Sequence, residues 1–184
     1  MAGFKPHNQA VAKEEEDNKF DQRVLNIDRV SRVVKGGRRF RFRALVAIGD
    51  KKGSIGIGIA KGADVTAAIN KAVDVAKKNM ITVHMHKATI PHETSGKVGG
   101  ANILIMPASE GTGLIAGSVT RDILEAAGIQ NIVTKSLGNN NKINVSYAVI
   151  EALQKLLPSK DWITNSGKKK SAPKKKAADK KEAK

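Results

Sequence analysis

Two glycine-bearing loops, a group of histidines and an arginine-rich strand pair are the places where this chain's residue types and spacing could do chemistry. The first loop, residues 53–62, reads GSIGIGIAKG and runs straight into DVTAAINKAVDVAKKN. A Gly-rich turn between a strand and a helix can cradle nucleotide phosphates, because backbone N–H groups and the helix dipole both favour an anion there. The spacing argues against that use. Gly56 and Gly58 are followed by Lys61 where a dinucleotide fingerprint needs a third Gly, and no Gly-Lys-Ser/Thr ends the run. Glycine at alternate strand positions has a simpler purpose: it strips one face of side chains so that a helix or another backbone can come close. Lys61, at the entry to the following helix, is still placed to take up a phosphate of RNA.

The second loop, PASEGTGLIAGS (residues 107–118), again joins a strand to a helix. Its Pro-x-x-x-Gly-x-Gly resembles the phosphate loop of small-molecule kinases such as galactokinase and mevalonate kinase. Those kinases carry Ser directly after the second Gly, where this chain has Leu114 and Ile115. The resemblance therefore fits a shared fold without the site. His84 and His86 share a face of any strand through 81–87 and, with His92, could be pictured as metal ligands. No carboxylate or thiol of matching spacing joins them. The absence of Cys removes disulfides, thiolate metal sites and Cys nucleophiles. No catalytic residue, metal, cofactor or small-molecule substrate is expected.

The most informative segment is RVSRVVKGGRRFRFRALVAIG, residues 29–49. A two-residue turn at Gly36-Gly37, with both φ angles positive, would set Lys35 opposite Arg38, Val33 opposite Phe40 and Arg32 opposite Arg41. Arg39, Arg41 and Arg43 would then share a face with Arg32, while Phe40 and Phe42 point to the other, the expected core face. Arg32 opposite Arg41 would cost about 0.2–1 kcal/mol in an ordinary sheet. A polyanion reverses that cost. Five cations between Lys35 and Arg43 have no acid among them, which favours phosphate binding over the other use of a charged strand end, protection against edge pairing. Beyond Arg43 the strand is apolar on both faces, so only the turn end is free to meet a partner.

Elements must hold these residues in place. The 184 residues (19.6 kDa) allow one ordinary domain or two small ones, and the net charge of +16 with pI near 10.1 points to a polyanionic partner. No apolar run is long enough to span a membrane, and neither a signal-like segment nor a lipidation motif is seen, so a soluble, intracellular protein is expected. Aromatic residues make up only 3% of the chain, too few for a platform that stacks single-stranded bases, so contact through phosphates and shape is expected.

Residues 1–22, with Glu14, Glu15, Glu16 and Asp17, read as a flexible arm. Residues 165–184, with nine Lys and two acids, read as a disordered tail. The span between them is basic in its own right. Period-2 patterning predicts strands over 24–35, 38–49 and 54–60, with a turn at Asp50 to Gly53. A 3.6 period then places Val65, Ala68, Ile69, Ala72, Val73 and Ala76 on one helical face, with Asp64 as N-cap and Lys77 and Lys78 at the C-terminal end. Residues 81–100 hold a short strand and a polar boundary stretch. A strand at 102–106, a helix at 114–127 stopped by Gly128, a strand at 129–136 and a helix at 143–157 follow. That last helix has Tyr147, Ile150, Leu153 and Leu157 on one face. The expected class is α+β: an N-terminal β-β-β-α domain (23–90) and a C-terminal β-α-β-α domain (91–164).

VSRVVKGGRRFRFRALVAIGD, GSIGIGIAKGADVTAAINKAVDVAKKNM, IPHETSGKVGGANILIMPASEGTGLIAGSVTRDILEAAGI and INVSYAVIEAL, taken in order, closely resemble bacterial ribosomal protein five of the small subunit. The resemblance implies an N-terminal unit akin to half of a double-stranded-RNA-binding domain and a C-terminal unit with the fold of the kinases above. It implies binding to small-subunit ribosomal RNA, contact with small-subunit proteins four and eight, and a cytoplasmic ribosome. It also implies a place near the messenger RNA entry path, with influence on assembly and decoding accuracy. By resemblance, the turn Lys35, Gly36, Gly37 and Arg38 is a hairpin tip reaching RNA near the spectinomycin site. Gly113 and Arg121 match the surface that meets protein four, and Lys87, His92 and Lys97 fall in a connecting segment lying on RNA. With Arg29, Arg32, Arg39, Arg41, Arg43 and Lys61 these make up the expected RNA contacts. Thr120 stands where the family often has Met, and Lys142 where it often has Pro. Other readings are a free-standing double-stranded-RNA-binding protein and a kinase using PASEGTG.

Overall fold

The computed structural model describes residues 20–158. All but the last residues of the expected N-terminal arm, and all of the Lys-rich tail, lie outside them. Alternating β-branched and polar residues form three long antiparallel strands, β1 (Asp21–Val34), β2 (Gly37–Gly49) and β3 (Ser54–Gly62). A short β4 (Met80–Thr82) completes a sheet of order β1-β2-β3-β4. β1 begins at Asp21, three residues before the strand start expected from the sequence. It bulges at Leu25, between the pairs Val24–Val46 and Asn26–Leu45, and this turns Leu25 into the core.

Helix α1 (Val65–Lys78) covers one face of this sheet. Ala44, Val46 and Ile48 of β2 point to that face, and their β3 partners there include Gly56 and Gly58. A Cβ on Gly58 would overlap the Ala72 carbonyl, and one on Gly62 would lie 2.6 Å from the Ala68 amide nitrogen. The alternate glycines of GSIGIGIAKG therefore seat a helix whose facing residues are alanines, which is the packing use of the motif. Asp64 holds the N-cap position as expected, but its side chain makes no capping hydrogen bond.

The opposite face, with Leu45, Ala47, Ile55 and Ile57, packs against the second unit in one continuous core that includes Ile103, Ile105, Ile123, Leu124 and Ile132. That unit has a sheet of order β5-β6-β8-β7, built from β5 (Thr94–Val98), β6 (Ala101–Pro107), β7 (Leu114–Ile115) and β8 (Ile132–Ser136). Two helices pack with it, α2 (Ser118–Ala127) and α3 (Lys142–Gln154). The second unit departs from the sequence expectation in several places, and the strand expected from residue 129 starts only at Ile132. β5 occupies part of the polar boundary stretch, and its Gly96 admits α3 at Ala148 and Ala152. Leu114 and Ile115 pair in parallel with Ile132 and Val133, so they belong to a strand and α2 starts only at Ser118. Helix α3 buries Val145, Ala148, Val149, Ala152 and Leu153, leaving Tyr147 exposed, because its small residues must face Gly96; it ends at Gln154 rather than at 157, so Leu157, also exposed, lies beyond it.

The two units are also joined through backbone. The amides of Lys51 and Gly53, in the β2–β3 turn, donate to the carbonyls of Ala126 (3.1 Å) and Ala127 (2.9 Å), which end α2 without intrahelical partners. Gly128 stops α2 in the left-handed region (φ 91°), as expected from the sequence. A Cβ there would strike the Lys51 carbonyl.

Candidate nucleic-acid interface

The β1–β2 hairpin overhangs its sheet. The last β2–β3 pair is Phe42 with Gly62, so the outer parts of β1 and β2 pair only with each other. Their register differs from the expected one. Val34 opposes Gly37, which makes Lys35 and Gly36 the turn and places Arg32 opposite Arg39 and Val30 opposite Arg41. Both glycine φ angles are positive, but only Gly36 (89°) is firmly left-handed. Gly37, at 158°, is close to extended and opens β2. One left-handed residue at the second turn position is enough to close the loop, so the pairing slides by two. A slide of two preserves the strand alternation, and Arg32, Arg39, Arg41 and Arg43 still share a face.

Val30, Arg32, Arg39, Arg41 and Lys61 of that face, together with Ser31 between Val30 and Arg32, line an open cleft of about 300 Å³. Lys61 arrives there because β3 pairs it with Arg43, on the side away from α1. Four cations from three strands thus converge, and no acid lines the cleft. Arg43, one pair further in, is different. Its Nη2 and Nε bond Asp28 Oδ2 at 2.7 and 3.2 Å, so an acid does compensate one of the five cations, from the opposite strand rather than from within the run. Arg43 holds the Asp28 carboxyl below its ordinary value, helped by Asn26 and by the charge of Lys142.

The other face of the overhang is not core at its tip. Phe42, like Phe20 and Ile69, packs against the core beneath α1, but Phe40 is not part of that packing and remains 49% exposed. The guanidinium of Arg29 lies over the Phe40 ring, 3.9 Å from its centroid. Arg29 therefore sits across the hairpin from the cleft, and Lys35, Gly36, Gly37 and Arg38 form the exposed tip. Lys87 is exposed on a tight turn closed by His86 and Thr89, with its own φ at 55°. His92 precedes β5, and Lys97 is exposed on β5. None of these three lines the cleft.

In PASEGTG the amide of Gly113 is already donated to Asn131 Oδ1 (3.0 Å), and a strand intervenes before α2, so the loop does not present free amides at a helix start. Among the described residues, no group of three or more His, Asp or Glu is placed to hold a metal. The family model for ribosomal protein S5, N-terminal domain, matches residues 20–84, and that for the S5 C-terminal domain matches residues 96–163. The chain belongs to the ribosomal protein S5 family. As an S5 protein it is a structural, non-enzymatic component of the small ribosomal subunit that binds ribosomal RNA and other ribosomal proteins.

The S5 chain also has residues that sequence reasoning passed over. Arg23 makes a bidentate bond to Glu125 (2.8 Å to each oxygen) and approaches Asp21, and Lys142 Nζ donates to Asn26 Oδ1 (2.9 Å), both reaching between units. These partners are separated by more than a hundred residues, and no local pattern signals them. Asp28 was findable, since it lies just before the basic run and on the alternating face of Arg32. Gly113 sits between the PASE turn and β7, while Arg121 is exposed on α2.

Proposed function

We propose that the overhanging hairpin is the principal ribosomal RNA contact of this S5 protein, with Arg32, Arg39, Arg41 and Lys61 each neutralising a backbone phosphate. The observation that carries this reading is the cleft: four cations, from β1, β2 and the end of β3, converge there with no acid among the lining residues. A cluster of like charges gains from a polyanion that releases its counterions. Lys35 and Arg38 extend the contact around the tip. Gly36 and Gly37 let the backbone come close, and Arg43 contributes less because Asp28 neutralises it. Arg29 belongs to the same element on its other side. Lys87, His92 and Lys97 form a second, separate line of contact along the segment between the units.

In the same reading, Gly113 and Arg121 face small-subunit protein four, and protein eight is a further neighbour. The chain acts in a bacterial-type cytoplasmic ribosome, where it supports assembly, messenger RNA entry and decoding accuracy. No helix among the described residues is long and apolar enough to cross a membrane.

The test is the salt dependence of binding to small-subunit particles stripped of this chain. Replacing Arg32, Arg39 and Arg41 with Ala is expected to leave the fold intact, since all three are exposed. The slope of log K against log salt should flatten by up to about three, one for each phosphate no longer neutralised. A slope equal to wild type would put the phosphate-binding surface elsewhere.

A further inference from the structure

Phosphate binding occupies one face of the hairpin and leaves the other without a role. That second face carries Arg29, Ser31 and Val33 from β1 and Arg38, Phe40 and the inner Phe42 from β2, with Ser31 directly opposite Phe40. Val33 is 74% exposed and Phe40 49%. Strand propensity alone does not require a phenyl ring there, because Thr or Val would favour an exposed strand equally well without showing an aromatic surface to water. The ring is also already layered. Arg29 lies 3.9 Å over it, and among the described residues Arg29 has no carboxylate partner, so its planar guanidinium is held by the ring alone.

We propose that the Arg29–Phe40 stack receives a single unpaired nucleobase of the ribosomal RNA whose backbone lies on the arginine cleft. This rests on the reading of the hairpin as an RNA contact. Two cations and no acid on this face favour a polyanion over an apolar protein surface. The negative face of a phenyl ring repels a phosphate, whereas a base is the apolar, planar part of RNA and stacks on both rings and guanidinium planes. Few aromatics are needed, since the site takes one base and not a strand. The hairpin then grips RNA from two sides: phosphates along Arg32, Arg39, Arg41 and Lys61, and one splayed base against Arg29 and Phe40.

Two experiments on the full chain in small subunits test this. With p-azidophenylalanine in place of Phe40, irradiation is expected to crosslink the chain to one unpaired nucleotide of the ribosomal RNA. In binding to stripped small-subunit particles, Phe40→Ala and Phe40→Leu are each expected to lose roughly 5- to 150-fold in affinity, the range for one base stacked on an aromatic residue, with the salt slope unchanged. Phe40→Trp should bind like wild type. The Leu variant keeps the apolar bulk, so its loss separates stacking from strand packing. The proposal is overturned if Phe40→Leu binds as tightly as wild type, or if the crosslink is absent or falls on protein or on a base-paired nucleotide. Failure of the phosphate reading shows separately, as an unchanged slope in the arginine variant.

Discussion

Asp28 governs how many of the hairpin's arginines a polyanion can use. Its carboxylate accepts hydrogen bonds from both Nε and Nη2 of Arg43, and it lies near enough to Lys142 to feel that charge as well. Changing it to Asn is expected to release Arg43 and to steepen the salt dependence of RNA binding by up to about one, since one more cation would reach a phosphate. The same substitution has a pH signature. The folded-state pKa of Asp28 is depressed below its ordinary 3.8, first by the Arg43 hydrogen bond. Its contribution to stability is therefore present above 3.8 and is lost as pH falls through the lower folded value. Denaturant midpoints measured from about pH 7 down to about pH 2.5 should show wild type more stable than Asp28→Asn at neutral pH, with the gap closing below about pH 4. Asp50 behaves in the same direction for a different reason: burial raises its pKa, but hydrogen bonds from the amides of Ser54 and Lys52 outweigh that and lower it.

Glycines in two elements look alike in the sequence and differ in physical role. Gly58 is extended and crowded, with the Ala72 carbonyl of α1 where a Cβ would go. Gly36 is left-handed at 89° and open, with no atom within 4 Å of where a Cβ would stand. Gly58→Val should therefore push α1 off the sheet and cost at least about 1–3 kcal/mol of global stability, the usual range for overpacking. Gly36→Val should strain the turn alone, at a cost of about 1–3 kcal/mol confined to the overhang. Thermal unfolding and RNA binding measured together separate the two. The melting temperature should fall for Gly58→Val, whereas Gly36→Val should weaken binding with little change in melting. Alternation exposed β1 and the outer part of β2, and the 3.6 pattern exposed α1, because each has a face outside the core; β2 from Ala44 on and β3 are buried on both faces and read instead as apolar, glycine-bearing strands. β5 escaped because TSGKV is polar and short, and its one informative residue, Gly96, acts by having no side chain.

Across the whole molecule, the two units matched by the S5 domain models share one core, with Leu45, Ile55 and Ile57 packed together with Ile103, Ile123 and Leu124. Neither unit buries its facing sheet or helix without the other, so a single cooperative unfolding transition is expected by calorimetry, with calorimetric and van't Hoff enthalpies equal. Interactions across the junction should rank by packing rather than by charge. Arg23→Ala breaks an ion pair whose side chains are partly exposed and should cost no more than about 1 kcal/mol. Gly49→Val would drive a side chain into the Ala126 carbonyl of α2 and should cost about 1–3 kcal/mol or more. Two separate transitions, or the opposite ranking, would show that the units fold independently.

By itself the sequence determined the polyanionic partner, the absence of thiol chemistry, the strand-rich start, the glycine-bearing face for a helix and the arginine face of the hairpin. Charge balance and side-chain alternation are local properties, and even a register slide of two residues leaves alternation intact. Only the tertiary structure decided that Lys61 joins Arg32, Arg39 and Arg41, that Asp28 withdraws Arg43, and that Phe40 stays outside the core. Each of those depends on where a third strand or a helix ends relative to the hairpin. β3 stops opposite Phe42, and the core beneath α1 takes in Phe42 but not Phe40. Such end points are set by the packing of distant elements against one another, and no residue within the hairpin encodes them.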